Sequence, residues 1–147
     1  MYRKILVAYN GAPESRSALH EAAELGLTGS AEVHVAAVMD TSAYFVTGEF
    51  VPDVALSTEQ AHLEGDLASA RSELGKRGVN VTTHLLVGEP VDVIARLVNE
   101  LGADLLILGH PRTKSFALRW WRGSVDALLI ERVRASILIA SDPAIAQ

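Results

Sequence analysis

Short apolar runs alternate along this chain with longer segments of helical period, and that alternation restricts its fold more than any other feature. Residues 5–9, 33–39, 104–108 and 137–140 are rich in Val, Ile and Leu, as expected of strands covered on both faces. A fifth run, 79–87, mixes Val79, Val81, Leu85 and Val87 with Asn80, Thr82, Thr83 and His84, which predicts a strand with one wetter face, nearer a sheet edge. Between the runs, residues 13–27, 57–77 and 90–101 repeat apolar side chains at helical spacing, and a last helix is expected over 123–133. Strands that alternate with helices need crossover connections, so the chain is expected to form one mostly parallel, doubly wound α/β sheet with helices on both faces.

Local signals support these boundaries. Pro13 and Pro90 suit a first helical turn, where a missing N–H costs nothing, and Ser57 with Gln60 has the spacing of a capping box. Gly26, Gly78 and Gly102 stand where helix ends need a left-handed residue. Residues 41–56 contain Gly48, Pro52, Tyr44, Phe45 and Phe50 and are expected to form a partly ordered flap.

A chain of 147 residues is long enough for one core, and 49% hydrophobic with 21% charged residues is a globular balance, so one domain is expected over 1–147. With no cysteine there is no disulfide, thiolate metal site or cysteine nucleophile. The opening Met1-Tyr2-Arg3-Lys4 leads straight into a strand without a long apolar leader, and no run reaches membrane-spanning length; a cytoplasmic protein without a membrane partner is expected. A net charge of −5 opposes nonspecific attraction to a phosphate backbone, although residues 112–122 are locally basic, so nucleic acid is not expected as a partner.

In an open parallel sheet, ligands bind beyond the carboxyl ends of the strands, where the strand order reverses. The segments that reach this place are Tyr9-Asn10-Gly11-Ala12, Met39-Asp40-Thr41, Gly109-His110-Pro111-Arg112 and, before the last helix, Gly123-Ser124-Val125. Gly109 leaves room where a side chain would obstruct, and Gly123-Ser124 would open a helix whose N–H groups can hold an anion. An ordinary N-cap uses the same Gly and Ser, so the pair alone does not separate a phosphate cradle from a helix start.

The sequence resembles the universal stress protein family. Lys4-Ile5-Leu6-Val7-Ala8-Tyr9-Asn10-Gly11, followed by Glu14-Ser15 and Ala18-Leu19, is similar to the family's first strand and helix. Gly88-Glu89-Pro90, Ile94 and Gly102-Ala103-Asp104-Leu105-Leu106-Ile107-Leu108-Gly109 resemble its third-helix and fourth-strand block. Gly123-Ser124-Val125 and Ala135-Ser136-Ile137-Leu138-Ile139-Ala140 resemble its close. The resemblance implies a five-stranded parallel sheet of order 3-2-1-4-5, Rossmann-like and of the adenine nucleotide alpha hydrolase type. It also implies a usually dimeric protein, and membership of a family divided into ATP binders and non-binders; with that strand order residues 137–140 form an apolar edge, which makes a homodimer through the last strand the economical expectation. The implied ligand is ATP or a related adenine nucleotide, with Mg2+ as its companion, held by Ala8, Tyr9, Asn10, Val38, Gly109, His110, Arg112, Gly123, Ser124 and Val125.

The family's ATP binders carry Gly, two residues, a second Gly, nine residues, then Gly and Ser or Thr. Here Arg112 occupies the second Gly position and ten residues separate it from Gly123. Arg112 does not allow the close backbone approach that Gly allows, but its guanidinium can grip a phosphate as a fork, as can Lys114, Arg119 or Arg122. Many relatives place Asp where this chain has Asn10; the amide keeps an acceptor, adds two donors and loses a negative charge, which does not argue against an anionic ligand. The resemblance puts Val38 against the adenine, with Ala8 and Tyr9 as a backbone wall; taken alone, Val38 reads more simply as ordinary core.

Other chemistries lack their residues. There is no Gly-x-x-x-x-Gly-Lys phosphate loop, no acidic set after the first strand for a phosphoacceptor, and no hydroxyl-rich loop for a flavin phosphate. No general base for ATP hydrolysis is visible, so a binding module rather than a fast enzyme is expected. The five histidines, 20, 34, 62, 84 and 110, show no metal-ligand spacing, and most are expected to be solvated or ordinary strand residues; His110, at the cleft mouth, has two open readings, contact with phosphate or ribose and a loop residue propping Pro111. Trp120-Trp121, between Arg119 and Arg122, could cover the cleft, pack between subunits or meet a protein partner. Two readings remain open: a nucleotide-binding regulatory domain, and a nucleotide-independent dimeric adaptor.

Overall fold

The computed structural model describes residues 2–11, 13–41, 53–110 and 129–141. The strands β1 (Lys4–Ala8), β2 (Glu32–Asp40), β3 (Val81–Gly88), β4 (Leu105–His110) and β5 (Ser136–Ser141) form one sheet in the order β3-β2-β1-β4-β5. Every pairing is parallel. The connections from β1 through β4 contain α1 (Pro13–Gly29), α2 (Asp53–Lys76) and α3 (Pro90–Leu101).

Successive side chains of a strand point to opposite faces, and here both faces are covered. Ile5, Val7, Val33, Val35, Leu105 and Ile107 pack with Leu19 of α1 and with Leu67 and Leu74 of α2. On the other face Leu6, Ala8, Ala36, Leu106 and Leu108 pack with Ile94 and Val98 of α3 and with Leu129 and Val133. This two-sided burial is why the runs read as continuously apolar rather than alternating.

The amino ends of the strands are tied together. Asp104 accepts hydrogen bonds from the Arg3 and Lys4 main-chain N–H groups at 2.9 and 3.0 Å. Burial works against the charge on this carboxyl, but those two N–H groups outweigh it and hold Asp104 below the usual carboxylate range. Lys4 Nζ donates to the Leu101 carbonyl at 2.9 Å, joining the end of α3 to β1.

Several boundaries depart from the sequence expectation. α2 begins at Asp53, so the end of the expected flap belongs to a helix and Ser57 is not a cap; Gln60 donates instead to Glu64 at 3.0 Å. The rest of that flap lies outside the described residues. α1 runs past Gly26 to Gly29, and Ser30 takes the left-handed conformation at φ 56°. Gly26 lies where an added Cβ would approach a Val33 methyl at 3.3 Å, so its smallness serves helix-to-strand packing. Gly78 and Gly102 do take positive φ. Of the helix expected over 123–133, residues 129–132 are helical and the earlier part lies outside the described residues.

The turn from β3 into α3 is closely specified. Glu89 caps α3 by accepting from the Val91 and Asp92 N–H groups at 3.2 and 2.9 Å, and Pro90 occupies the first turn. Gly88 has φ 142°, and a Cβ there would lie 2.9 Å from Val93 Cγ1. Gly88→Ala is therefore expected to cost about 1–3 kcal/mol from backbone strain alone. Urea unfolding checks this, and Val93→Ala in the same chain should restore only the steric part of the loss.

Candidate nucleotide cleft at the sheet switch point

The strand order places β1 and β4 side by side in the middle of the sheet, with chain connections leaving them in opposite directions. Val7 lies opposite Ile107; two residues further along each strand come Tyr9 and Gly109. Ala8 lies opposite Ala36 on β2, and Val38 follows two residues beyond. Ala8, Tyr9, Asn10, Val38 and Gly109 are thereby brought to one end of the sheet.

Their side chains do not share one face. Ala8 and Val38 belong to the cluster on the α3 face. Tyr9 belongs to the cluster under α1 and α2, and its phenol hydrogen-bonds to Arg16. Burial raises the Tyr9 phenol above its ordinary range, with Arg16 opposing. The Tyr9 N–H donates to the Ala36 carbonyl at 2.8 Å, so this main-chain donor is committed to the sheet.

Asn10 is held by its own helix. Ser15, fully buried in α1, donates through Oγ to Asn10 Oδ1 at 2.9 Å, and the Asn10 N–H donates back to Ser15 Oγ at 3.4 Å. This reciprocal pair fixes the exit from β1. Gly11 follows with φ 80°, and an added Cβ would sit 3.0 Å from both carboxylate oxygens of Asp66 on α2. Asp66 Oδ2 is buried with no hydrogen-bond partner among the described residues, while His62 Nε2 stands 3.6 Å from it. Sequence reading did not find Asp66, since nothing in a polar helix marks one carboxylate as facing a distant turn.

β4 extends further than expected, through Gly109 to His110, pairing Gly109 with Ala140 and His110 with Ser141. His110 thus belongs to the strand rather than to a following loop; nothing is described of its side chain. Arg112, Gly123, Ser124 and Val125 lie outside the described residues, as do Trp120 and Trp121. His34, a residue of β2, is buried and bonded to Glu32 and His84. Strand alternation would have placed His34 and His84 on one face; only the register shows that they meet. Among the described residues, no three His, Asp or Glu side chains are grouped to hold a metal ion.

Residues 1–141 match the sequence profile of the universal stress protein family. The chain belongs to that family. A universal stress protein from Synechocystis is 29% identical over 94% of this chain and 97% of its own length. Solved structures of universal stress proteins share the fold. One from Archaeoglobus fulgidus, in complex with dAMP, has a TM-score of 0.67 at 22% identity, covering 95% of this chain and 98% of that one. One from Arabidopsis thaliana with AMP bound has a TM-score of 0.70 at 17% identity, covering 97% and 93%. Another, in complex with cAMP, has a TM-score of 0.69 at 22% identity, covering 96% and 98%. Among the described residues of this universal stress protein, no helix is long and apolar enough to cross a membrane.

The geometry at Gly11 is directly testable. Gly11→Ala is expected to destabilise the chain by about 1–2 kcal/mol from its left-handed backbone alone. Adding Asp66→Ala should return only what the displaced carboxylate contributes, and thermal unfolding of the single and double variants reads the difference.

Proposed function

We propose that this chain is a regulatory domain that binds ATP or a related adenine nucleotide at the carboxyl ends of β1 and β4. The single observation that supports it most is the placing of Ala8, Asn10, Val38 and Gly109 at the switch point of a sheet whose relatives have been crystallised with cAMP, dAMP and AMP. The residues present fit an uncharged base and sugar: Ala8 and Val38 give an apolar floor, and Asn10 offers amide chemistry without a negative charge. Phosphates would meet Gly109 and, beyond it, Arg112, Gly123, Ser124 and Val125. A Mg2+ ion would accompany the phosphates.

Calorimetric titration with ATP and Mg2+ tests this. Saturable binding tighter than about 1 mM, near 4 kcal/mol, is expected; heat matching buffer dilution at millimolar ligand overturns it. Asn10→Asp keeps the acceptor used by Ser15 and adds one negative charge, so ATP affinity should fall by about tenfold, or about 1.4 kcal/mol, while adenosine affinity changes less. Arg112→Gly separates two modes of phosphate binding. Weaker binding means that the guanidinium holds the phosphate; tighter binding means that it stands in the way.

A second reading, a nucleotide-independent dimeric adaptor, is favoured by β5. This strand pairs only with β4 among the described strands, and Ile139 on it is 41% exposed. An apolar strand edge invites pairing with a second copy. Light scattering should show a dimer that Ile139→Lys converts to monomer. A parent chain that stays monomeric at high micromolar concentration removes the edge-pairing reading.

A further inference from the structure

Away from the cleft, Glu32, His34 and His84 form an unbroken row of titratable groups on the α3 face of β2 and β3. His34 is 6% exposed. Its Nε2 lies 2.6 Å from Glu32 Oε2, and its Nδ1 lies 2.9 Å from His84 Nε2. The two rings are stacked with centroids 5.1 Å apart. Glu32 opens β2, whereas Asp40 ends it near the cleft, so this row occupies the other half of the strand.

Hydrogen-bond chemistry limits how many protons the row can carry. A carboxylate only accepts, so His34 Nε2 must bear a hydrogen. With both rings neutral, His34 Nδ1 presents a lone pair and His84 Nε2–H donates to it. One added proton can be accommodated, because His34 Nδ1–H then donates to His84 Nε2 and the other His84 hydrogen sits on Nδ1. A second added proton sets N–H against N–H across 2.9 Å, and that bond cannot persist.

Few neighbouring charges can relieve this. From β1, Lys4 Nζ lies 3.6 Å from Glu32 Oε2, and it also donates to Leu101 O. From α3, the residues turned to the sheet are the apolar Val91, Ile94, Ala95, Leu97 and Val98, while Asp92, Arg96 and Glu100 are exposed. On β3, Thr82 opposite His34 is uncharged. One carboxylate therefore serves two imidazoles, with an ammonium beside it.

We propose that Glu32, His34 and His84 form a pH-sensitive latch, which fastens edge strand β3 to β2 while the histidine pair carries at most one added proton and releases it when the second arrives. β3 has much to lose, because β2 is its sole sheet neighbour among the described strands. The direction of titration agrees. Burial, and then the charge on His34, lower the His84 pKa. A histidine with a depressed folded value contributes stability that is full above its unfolded value, near 6.5, and declines as pH falls below it. Glu32 is also lowered, first by its bond to His34, so its contribution is lost in the same direction at lower pH, as pH falls through the carboxylate range.

Amide hydrogen exchange of the whole chain, corrected for intrinsic rates and measured at about pH 7 and about pH 5, tests the latch across the ordinary histidine range. Amides of 81–88 are expected to lose protection by about tenfold or more relative to those of 4–8, the change that one pKa unit represents. In His84→Gln, whose amide can donate to His34 but cannot take up a proton, most of that difference should vanish. Equal losses in both strands, or an unchanged response in His84→Gln, would overturn the proposal. Should that variant fail to fold, imidazole nitrogen shifts of the parent chain decide: coupled two-step titration supports the latch, and independent titration of the two rings sinks it.

Discussion

Ile5 and Val7 face α1 and α2, Leu6 and Ala8 face α3, and β2 and β4 flank β1 on either side, so the first strand has essentially no contact with water along its length. A backbone in that position must satisfy all its polar groups through its neighbours, and parallel pairing on both sides does so. Each fully buried Ile, Leu or Val contributes about 1.5–3 kcal/mol, which makes the strand an energetic hub that its neighbours cannot leave independently. Solvent meets β1 only at its ends. The amino end is closed by Asp104 on Arg3 and Lys4, which leaves the carboxyl end as the place where the strand can present chemistry.

What stands at that end follows from local requirements. Asn10 is pinned by Ser15, one turn into α1, and Gly11 bends the chain where Asp66 leaves no room for a side chain. Across the sheet, Gly109 remains in β4 and pairs with Ala140, so the strand reaches the cleft without an obstructing side chain. A ligand there would meet rigid main chain from β1 and β4, both held on two sides, rather than a surface that must first be ordered. Such preorganisation lowers the entropic cost of binding.

The strands and their order of appearance were legible because burial on both faces leaves a plain signal, as at 5–9 and 104–108. Sheet order was not legible from periodicity; it came from the resemblance in Lys4 to Gly11 and in Gly102 to Gly109, and the coordinates agree. Where sequence reading failed, a tertiary contact had overridden a local signal. Gly26 has the look of a helix end, but its missing side chain serves contact with Val33, so α1 continues through it. Ser57 and Gln60 have cap spacing, yet the helix starts earlier, at Asp53. Asp66 beside Gly11 and His34 beside His84 were invisible because each pair is distant in sequence and meets only through the fold.

β2 carries different chemistry at its two ends, and the sheet's bracing keeps them apart. At its amino end, Glu32 joins His34 and Lys4, and the Glu32 N–H donates to the Arg3 carbonyl, so this end is held to β1 by main chain as well as charge. At its carboxyl end, Val38 is buried in the core on the α3 face and Asp40 ends the strand, and Tyr9 ties β1 to Ala36 between the two regions. Loss of the His34–His84 bond removes a link between β2 and β3 but none between β1 and β4. An event at the edge therefore reaches the switch point only through β2 itself, whose residues 33–39 are buried among helices on both faces. Packed cores move between discrete arrangements rather than deforming continuously, so release at the edge of this sheet reaches its centre only where β2 has a second packing to adopt.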